Sequence, residues 1–374
     1  MKRKKNIVIV SNYIPHYNNI FYNDLVRYKS GSINLSIISD QISNSDLNIA
    51  NSNQNYNVVN NKIRSYFGII FRYGLIRDLV KLKPDKVIFY GNPRDISVFI
   101  GLIFCRIFKI DCYCHGMFHK IGHLKFITRV SYKIMYYLSK GCLTYGSKGA
   151  TVLYSLGLRS SKIKIIGTAI GQNDIKFNLS KYKTRDLDLF RTNKNLLNKR
   201  VILQVVRFSR IKNIQLLIKA AEINKNDDYI YVLIGDGECF DEIFDLIKIK
   251  GLDDKFVLLG QLYDEAELAK WFMISDLFVV PSCIGLSLHH AFSYGLPVIT
   301  DNCIDTQSSE SELLYNRING LNYEAGNASS LASVIKEIIE DNKLRAMLSK
   351  NASQTIMANS LEHKTYRYMK SIGL

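Results

Sequence analysis

Acidic residues are scarce in the first half of this chain. Residues 1–200 contain 33 Lys or Arg against 10 Asp and no Glu, whereas residues 201–374 contain 17 cations against 23 carboxylates. An excess of positive charge favours nucleic acid, an anionic membrane face or a phosphate-bearing substrate as partner. Zinc-finger, RRM and KH patterns are missing, and apolar residues at helical spacing interrupt the cations. We therefore predict no nucleic-acid partner.

Proline, paired cysteine and long apolar runs are lacking too. Five prolines and 47% hydrophobic residues indicate packed globular domains. Seven cysteines without a CxxC pair favour reduced thiols in a cytoplasmic protein. The most apolar stretch, 96–110, contains Arg106 and Lys109 and is shorter than the roughly 20 residues of a membrane span. The run behind the basic MKRKK is too short for a secretory signal, so we expect a cytoplasmic protein that is either soluble or bound only at the inner membrane surface.

Short apolar strands alternate with helical segments in both halves, which predicts α/β domains with parallel, doubly wound sheets. The predicted strands of the first half are 6–10, 33–38, 86–90, 111–114 and 141–144, and those of the second half are 201–206, 229–234, 256–259 and 277–280. Between the predicted strands 33–38 and 86–90, apolar residues at helical spacing predict a helix over 67–82. We predict an N-terminal domain at 1–172, a linker at 173–199, a second domain at 200–355 and a C-terminal helical segment at 356–374, with a return to the first domain as one option.

The segment 275–301 carries the clearest functional signal. A strand at 277–280 leads through the small-residue loop 281–285 into a helical segment that ends at Gly295, and Pro297 and a second strand follow. A strand that turns into a helix N-terminus presents backbone N–H groups at the carboxyl edge of a parallel sheet. This segment therefore predicts a phosphate site.

Two cations and a glycine turn follow earlier strands. Arg207 comes directly after the strand 201–206, and Lys212 precedes the next helix. An Arg that clamps two oxygens and a Lys that adds a point charge suit a diphosphate leaving group. Gly235-Asp236-Gly237 forms a tight turn after the following strand.

The order and spacing of these motifs resemble the C-terminal domain of the family 4 glycosyltransferases over residues 200–355. The positions that match family motifs are Arg207, Lys212, Gly235-Asp236-Gly237, Ser275-Asp276, Pro281-Ser282, Gly285-Leu286, Ala291, Gly295, Pro297-Val298-Ile299, Glu310 and Asn319-Gly320. The first half resembles the family's N-terminal domain more loosely, through Cys114-His115-Gly116 and the segment 143–150. The resemblance implies the GT-B fold, in which two Rossmann-like domains face a cleft and bind the acceptor and the nucleotide sugar.

The chain departs from the family at its two-Glu motif. Ser282 and His290 stand where relatives place the carboxylates that contact the transferred sugar and the ribose, and neither accepts hydrogen bonds as a carboxylate does. Val206 also replaces the glycine before Arg207. His289 and His290 are adjacent, so only one of them can face the cleft from a helix. We favour His290 and leave His289 as the alternative.

The resemblance implies a role for each matching residue of the second half. Arg207, Lys212 and the N–H groups of 285–287 would stabilise the departing diphosphate. The residues expected to contact a UDP- or GDP-sugar are Gly235, Gly237, Ser282, Gly285, Leu286, Ser287, His290 and Glu310. This donor is a substrate, so we expect no cofactor. The single Asp-x-Asp motif lies at 186–188 in the linker, and we expect no metal.

The first half supplies histidines after its strands. By resemblance His115 lies near the transferred sugar, and His16 is a candidate acceptor residue. The family implies a retaining reaction, whereas an inverting reaction would need a base, with His16, His115 or His119 as candidates. This choice stays open.

The acceptor expected from the family is a glycan or a polyprenyl-diphosphate-linked sugar at the inner membrane face, in O-antigen or capsule assembly. The segment 118–141 interleaves cations with apolar residues, as in a helix that binds an anionic membrane surface. Two other functions remain. A silent GT-B binding protein would explain the missing Glu pair, whereas an epimerase would need carboxylates in the first half.

Overall fold

The computed structural model describes residues 3–40, 54–119 and 124–374, without the side chains of residues 16, 17, 29 and 30. The chain divides into two compact units. The first unit contains Met1–Gly171 together with Ser360–Leu374, and the second contains Gln172–Asn359.

The first unit is an α/β unit around a seven-stranded parallel sheet of order β3-β2-β1-β6-β7-β8-β9. Its strands are β1 (Lys5–Val10), β2 (Ile33–Ser39), β3 (Asn57–Asn60), β4 (Ile63–Tyr66), β5 (Ile69–Arg72), β6 (Lys86–Tyr90), β7 (Asp111–Gly116), β8 (Gly141–Thr144) and β9 (Ile163–Ile165). Its first five helices are α1 (His16–Gly31), α2 (Leu75–Leu82), α3 (Ile96–Ile107), α4 (Phe126–Leu138) and α5 (Ser147–Ser155).

The sheet is apolar on both faces because helices cover both. In β1, Val8 and Val10 join the core on the side of α2 to α5, while Ile7 and Ile9 join the core on the side of α1. This two-sided burial is what the short apolar strands of the sequence predict. The strands predicted at 6–10, 33–38, 86–90, 111–114 and 141–144 are confirmed to within two residues.

The helix predicted over 67–82 is wrong in its first half. Strands β4 and β5 pair as an antiparallel hairpin there, and only α2 is helical. The hairpin turns at Phe67 and Gly68, which both have positive φ (50° and 77°), and Gly74 (φ 82°) directly precedes α2. Glycine at the turn and before α2 permits these left-handed conformations and interrupts the helical spacing.

The second unit contains a six-stranded parallel sheet of order β12-β11-β10-β13-β14-β15. Its strands are β10 (Arg200–Val205), β11 (Tyr229–Ile234), β12 (Phe256–Gly260), β13 (Leu277–Val279), β14 (Val298–Asp301) and β15 (Gly320–Tyr323). Its helices are α6 (Asn173–Lys181), α7 (Thr184–Asn193), α8 (Ile214–Ile223), α9 (Phe240–Ile249), α10 (Glu265–Ile274), α11 (Ser287–Ser293), α12 (Ala328–Glu340) and α13 (Asn342–Ala358). The chain leaves the middle of this sheet in opposite directions from β10 and β13, and ligands of open α/β sheets bind at such a switch point.

The segment 173–199, predicted as a linker, forms α6 and α7 and belongs to the second unit. Both helices pack on α10. Phe190 of α7 meets Trp271 of α10 edge to face, with ring centroids 5.1 Å apart. Aromatic contacts and the hydrogen bond from Arg191 to the Ile274 carbonyl hold α7 in place.

Helix α14 (Leu361–Ser371) returns the chain to the first unit. The Tyr113 hydroxyl of β7 donates a hydrogen bond to the carbonyl of Ile372 (3.3 Å), and Arg367 Nε donates to the carbonyl of Ile166 (3.1 Å). Residues from α14 complete the core on the α1 side of the sheet. The last helix is therefore part of the first unit's structure.

A buried ion pair fixes the loop after β1. Arg72 and Asp95 have fully buried side chains and lie 2.6 Å apart. Arg72 also donates to the carbonyl of Ser11 (2.8 Å) and to the side chain of Asn12. Burial raises the pKa of Asp95 and Arg72 lowers it, so the carboxylate depends on its partner. Arg72 thus joins the hairpin, the start of α3 and the loop that leads into α1.

Replacing Arg72 by Met leaves the Asp95 carboxylate buried without its cation. We expect the free energy of unfolding to fall by about 3–5 kcal/mol, measured by urea denaturation. Arg3→Met is the matched control, because Arg3 and its partner Asp85, 3.7 Å away, are both exposed, and it should change stability by less than about 1 kcal/mol. Equal losses in the two variants would contradict this account.

Candidate functional site

The loop 281–286 connects β13 to α11 at the carboxyl edge of the second sheet, and neighbouring segments hold it. The Tyr323 hydroxyl of β15 donates a hydrogen bond to the carbonyl of Pro281 (2.7 Å). The Ser282 hydroxyl donates to the Thr306 hydroxyl (3.4 Å). The first two residues of the loop are therefore tied to β15 and to the segment after β14.

Gln307 fixes the middle of the same loop. The Ile284 N–H donates to Gln307 Oε1 (2.8 Å), and the Ser308 hydroxyl donates to the Ile284 carbonyl. The Gln307 amide in turn donates to the Thr300 hydroxyl (2.9 Å) and to the Asp301 carboxylate (2.8 Å) at the end of β14. Gln307 is buried, so its hydrogen bonds are shielded from water, and together with Ser308 it holds both peptide groups of Ile284 in one orientation.

Lys212 brings a cation to this loop. Its ammonium group donates a hydrogen bond to the carbonyl of Cys283, a residue that has a positive φ of 53°. Burial lowers the pKa of Lys212, while Cys283 and Glu310 act in the opposite direction. Lys212, the loop and Glu310 therefore form one group of interacting residues, which is the part of the predicted donor site that the structure brings together.

The glycine turn lies against the segment that carries Arg207. A Cβ atom on Gly235 (φ 140°) would lie 1.9 Å from the carbonyl oxygen of Val206, and one on Gly237 (φ 153°) would lie 2.4 Å from that of Phe208. Only glycine allows this close approach at these φ values. The Phe208 N–H also donates to the carbonyl of Asp236 (2.9 Å). The turns after β10 and β11 thus support each other.

Arg207 is exposed and lies between Val206 and Phe208, whose backbone N–H groups are both hydrogen-bonded. Among the described residues, no hydrogen bond or ion pair engages its guanidinium group. Its backbone is held while its side chain stays available to a ligand, as a residue that binds an anion from solution requires.

Gly285, Leu286 and Ser287 are half-buried at the start of α11. A Cβ atom on Gly285 would find its nearest neighbour, the Ser308 hydroxyl, 3.9 Å away. Gly285 therefore leaves space beside the loop and is not demanded by close backbone contact.

The two adjacent histidines of α11 have different surroundings. His289 is fully buried, whereas His290 is half-buried. The His290 ring lies nearly parallel to Phe272 of α10, with centroids 6.1 Å apart, and Phe272 stacks on Tyr294 at 4.9 Å. His290 is thus the more accessible of the pair and packs against α10.

In the first unit, His115 lies at the carboxyl end of β7 among aromatic rings. The ring centroids of Tyr90, Tyr145 and Tyr368 are 5.8, 6.2 and 6.2 Å from the imidazole. Burial lowers the pKa of His115 to about 4, and the charge of Lys364 adds to this effect. The imidazole is therefore neutral near pH 7.

The other two histidine candidates of the first unit are His119 and His16. His119 is buried, and its Nδ1 lies 2.9 Å from the carbonyl oxygen of Met117. His16 is the first residue of α1, and its side chain lies outside the described residues.

Within the described ranges, no three side chains of His, Cys, Asp or Glu converge as possible metal ligands.

Sequence reasoning missed Gln307, Ser308 and Tyr323, which hold the loop, and Lys364, which acts on His115. Gln307 lies only three residues before the predicted Glu310. Its proximity to Glu310 in the sequence was the one indication that Gln307 belongs to the site. Its hydrogen-bond partners could not be predicted, because an irregular segment has no periodic pattern.

Removing the Gln307 amide tests the support of the loop. In Gln307→Leu, the buried Ile284 N–H loses its acceptor, and we expect the free energy of unfolding to fall by about 1–3 kcal/mol. Urea denaturation measures this loss. Gln215→Leu is the control, because Gln215 hydrogen-bonds Glu242 in an exposed position, and it should change stability by less than about 0.5 kcal/mol. An unchanged stability of Gln307→Leu would show that the loop does not depend on the amide.

Two parallel-sheet α/β units, with the glycine turn and the loop at strand ends of the second, define a protein of the GT-B fold. Residues 187–355 match the family model of glycosyl transferases group 1. The second unit thus matches the group 1 glycosyl transferases over most of its length, in agreement with the predicted resemblance to family 4.

Solved structures share this fold over almost the whole chain. A glycosyltransferase from Rickettsia africae superposes with a TM-score of 0.78 at 17% identity, covering 99% of this chain and 98% of that one. HepE from Anabaena in complex with UDP gives a TM-score of 0.73, also at 17% identity, with 98% of both chains covered. At this identity the likeness establishes the fold.

A curated relative adds sequence similarity. The N,N'-diacetylbacillosaminyl-diphospho-undecaprenol alpha-1,3-N-acetylgalactosaminyltransferase of Campylobacter jejuni is 27% identical over 255 residues, which cover 67% of this chain. The match spans 65% of that relative's own length, and matches to two further curated relatives span 41% and 42% of theirs.

Proposed function

We propose that this chain transfers a sugar from a nucleoside-diphosphate sugar to a glycan or a lipid-linked acceptor. The observation that carries the proposal is the contact of Lys212 with the fixed loop 281–286, inside a group 1 glycosyltransferase domain. A cation held against the carbonyl of a fixed loop at the sheet edge suits a phosphate, because few groups would have to reorganise to receive it.

The second unit would bind a UDP- or GDP-sugar. Negative charge develops on the diphosphate as the bond to the sugar breaks, and Lys212 and Arg207 would stabilise that charge. Ser282 and His290 would take the places of the family's carboxylates, with a hydroxyl and an imidazole for the sugar and the ribose. We propose a retaining reaction that needs no metal, since two cations can neutralise the diphosphate.

The acceptor would be a polyprenyl-diphosphate-linked sugar or a growing glycan. The Campylobacter relative is named for a diphospho-undecaprenol acceptor, and the first unit has the positive charge that a phosphate-bearing acceptor requires. His115 and His16 are its candidate site residues. Such a reaction would serve O-antigen or capsule assembly by a cytoplasmic enzyme at the inner membrane face.

An apolar and basic surface of the first unit supports a role for the membrane. Helices α3 and α4 pack on each other and contain no acidic residue. Their exposed apolar side chains are Ile96, Ile100, Ile103 and Ile107 on α3 and Phe126, Ile127, Val130, Ile134 and Tyr137 on α4. Exposed cations, among them Arg106, Arg129 and Lys133, lie on the same helices. Apolar side chains with basic neighbours favour the interface of an anionic bilayer.

No described helix is both long and apolar enough to cross a bilayer. We propose that the protein contacts the membrane through this α3–α4 surface.

A silent GT-B binding protein is the second candidate function, because Ser282 and His290 replace the carboxylates of the family. The epimerase alternative lacks support, since the first 200 residues contain no Glu.

Donor binding is tested by thermal stabilisation with UDP-, GDP- and dTDP-sugars, in the presence of EDTA. We expect one of them to raise the melting temperature, because a ligand that binds only the folded state stabilises it. Arg207→Ala and Lys212→Ala should each weaken binding about tenfold or more, since each removes a charge-assisted hydrogen bond.

Lys219→Ala, on the exposed face of α8, is the control and should bind as the parent does. A lack of stabilisation by every nucleotide sugar would contradict the proposal. Stabilisation without release of the nucleoside diphosphate, with acceptor-bearing membranes present, would favour the silent binding protein.

Membrane contact is tested by co-sedimentation with vesicles that contain anionic phospholipid. We expect binding that weakens strongly between low and high salt. The variant Ile103→Glu/Ile127→Glu should bind at least about tenfold more weakly, because each isoleucine contributes roughly 1.5–3 kcal/mol when it is buried. Ile249→Glu, on an exposed position of α9 in the second unit, is the matched control. Binding that ignores both salt and the paired substitution would overturn the assignment.

A further inference from the structure

The β4–β5 hairpin lies at the carboxyl edge of the first sheet. It follows the end of β3, and the Ile63 N–H donates a hydrogen bond to the Asp40 carboxylate (2.8 Å) just beyond β2. On its second strand, the Ile70 N–H donates to the carbonyl of Arg94 (2.8 Å), in the loop between β6 and α3. Ligands of open parallel sheets bind at this edge, so the hairpin is near the position expected for a bound acceptor.

The tip of the hairpin carries an aromatic side chain that the rest of the unit leaves uncovered. Phe67 is 108% exposed, as it would be in an extended peptide, so its ring packs against nothing in the described part of the chain. Tyr66, Ile69 and Tyr73, on or beside the same hairpin, are exposed as well. Single exposed apolar residues are ordinary, whereas a group of them indicates a surface that binds a partner.

The backbone conformation at the tip does not favour a phenylalanine. Phe67 and Gly68 both have positive φ (50° and 77°) and connect the paired residues Tyr66 and Ile69, as in a type I′ turn. Asparagine or aspartate is preferred at the first of these two positions, whereas a bulky side chain is strained there. A strained side chain without contacts in its own unit indicates a use outside it.

The charges of the hairpin suit an anionic partner. Residues 61–73 contain Lys62, Arg64 and Arg72 and no Asp or Glu, and both Lys62 and Arg64 are exposed. Exposed cations beside aromatic side chains favour the interface of an anionic bilayer. A protruding ring offers no groove to a folded partner, whereas a bilayer takes up an apolar side chain without a complementary shape.

The hairpin also adjoins the α3–α4 surface. The Arg72 N–H donates to the Ser97 hydroxyl (2.8 Å) in the first turn of α3. Ile96 and Ile100 are exposed on that helix. The exposed apolar side chains of the hairpin and of α3 therefore lie on neighbouring elements, so that one bilayer surface can contact both.

We propose that the β4–β5 hairpin inserts into an anionic bilayer, with Phe67 among the acyl chains and with Tyr66 and Tyr73 at the headgroups. Tyrosine favours that depth because its ring is apolar and its hydroxyl is hydrated. Arg64 shares one face of the hairpin with Tyr66 and meets the lipid phosphates. The proposal rests on the membrane contact proposed for the α3–α4 surface and adds an element that enters the bilayer.

Arg72 connects the inserted hairpin to the loop between β1 and α1. Its guanidinium group donates to the carbonyl of Ser11 (2.8 Å) and to the side chain of Asn12 in that loop. Its ion pair with Asp95 is fully buried, so the hairpin is fixed to the loop. With the tip in the bilayer, this part of the sheet edge lies at the membrane, where a lipid-linked acceptor presents its sugar.

Tryptophan fluorescence tests the depth of the tip. The parent contains one Trp, Trp271, which is fully buried in the second unit and supplies a constant background. In Phe67→Trp, we expect the added emission to shift to the blue on vesicles of phosphatidylcholine and phosphatidylglycerol, and brominated acyl chains should quench it. Ile249→Trp is the control, because Ile249 is exposed on the second unit, and its emission should stay unchanged.

Phe67→Asn separates insertion from folding. Asparagine suits the positive φ of the turn, so the hairpin should form and the melting temperature should not fall. The affinity for the same vesicles should fall about tenfold or more, because the transfer of an aromatic ring out of water is lost. Ile249→Asn is the matched control and should bind vesicles as the parent does.

The possible contrary results differ in what they refute. Vesicle binding without a shift or quenching of the introduced tryptophan would refute insertion and leave the α3–α4 contact standing, whereas a lack of any vesicle binding would refute both. Equal affinities of Phe67→Asn and the parent would also overturn the proposal. A lipid-free dimer that Phe67→Asn dissociates, measured by sedimentation velocity, would assign the tip to a second copy of this chain. The vesicles contain no nucleotide sugar and no acceptor, so none of these results depends on sugar transfer.

Discussion

The hydrogen bond from the Lys212 ammonium to the Cys283 carbonyl joins two strand ends of the second sheet, and the candidate donor site depends on it. It places a partly desolvated cation against a loop whose other peptide groups are already engaged by Gln307, Ser308 and Tyr323. Because these bonds form within the folded unit, a bound diphosphate would meet groups that need little reorganisation. The site is thus a property of the sheet edge as a whole and not of a single motif.

Much of this architecture could be predicted from the sequence, because both sheets consist of strands buried on two faces and such strands are short apolar runs. The cations and glycines after those strands could be predicted as well, since the turn chemistry is local. The segment 67–74 could not, because apolar residues at helical spacing also fit a hairpin whose turn is set by positive φ. Gln307 and Lys364 act on residues far along the chain, and no local pattern records such contacts.

The two units use charge in different ways. The first carries an excess of cations at its surface, including those beside the apolar residues of α3 and α4, and also buries Lys364 next to a neutral histidine. The second is acidic overall but places Lys212 and Arg207 at the ends of β10 and its following turn. The net charge of each unit therefore determines which partners its surface attracts. Binding and catalysis at a site depend instead on single charged side chains that are partly shielded from water.

The position of α14 has a consequence for how the molecule is made. The second unit is continuous in sequence, whereas the core of the first includes Leu361, Tyr368, Met369 and Ile372. On the ribosome, the first unit is synthesised early but must wait for these residues, with one side of its sheet incompletely covered, while the whole second unit emerges. The first unit therefore completes its core only after the second unit has been synthesised.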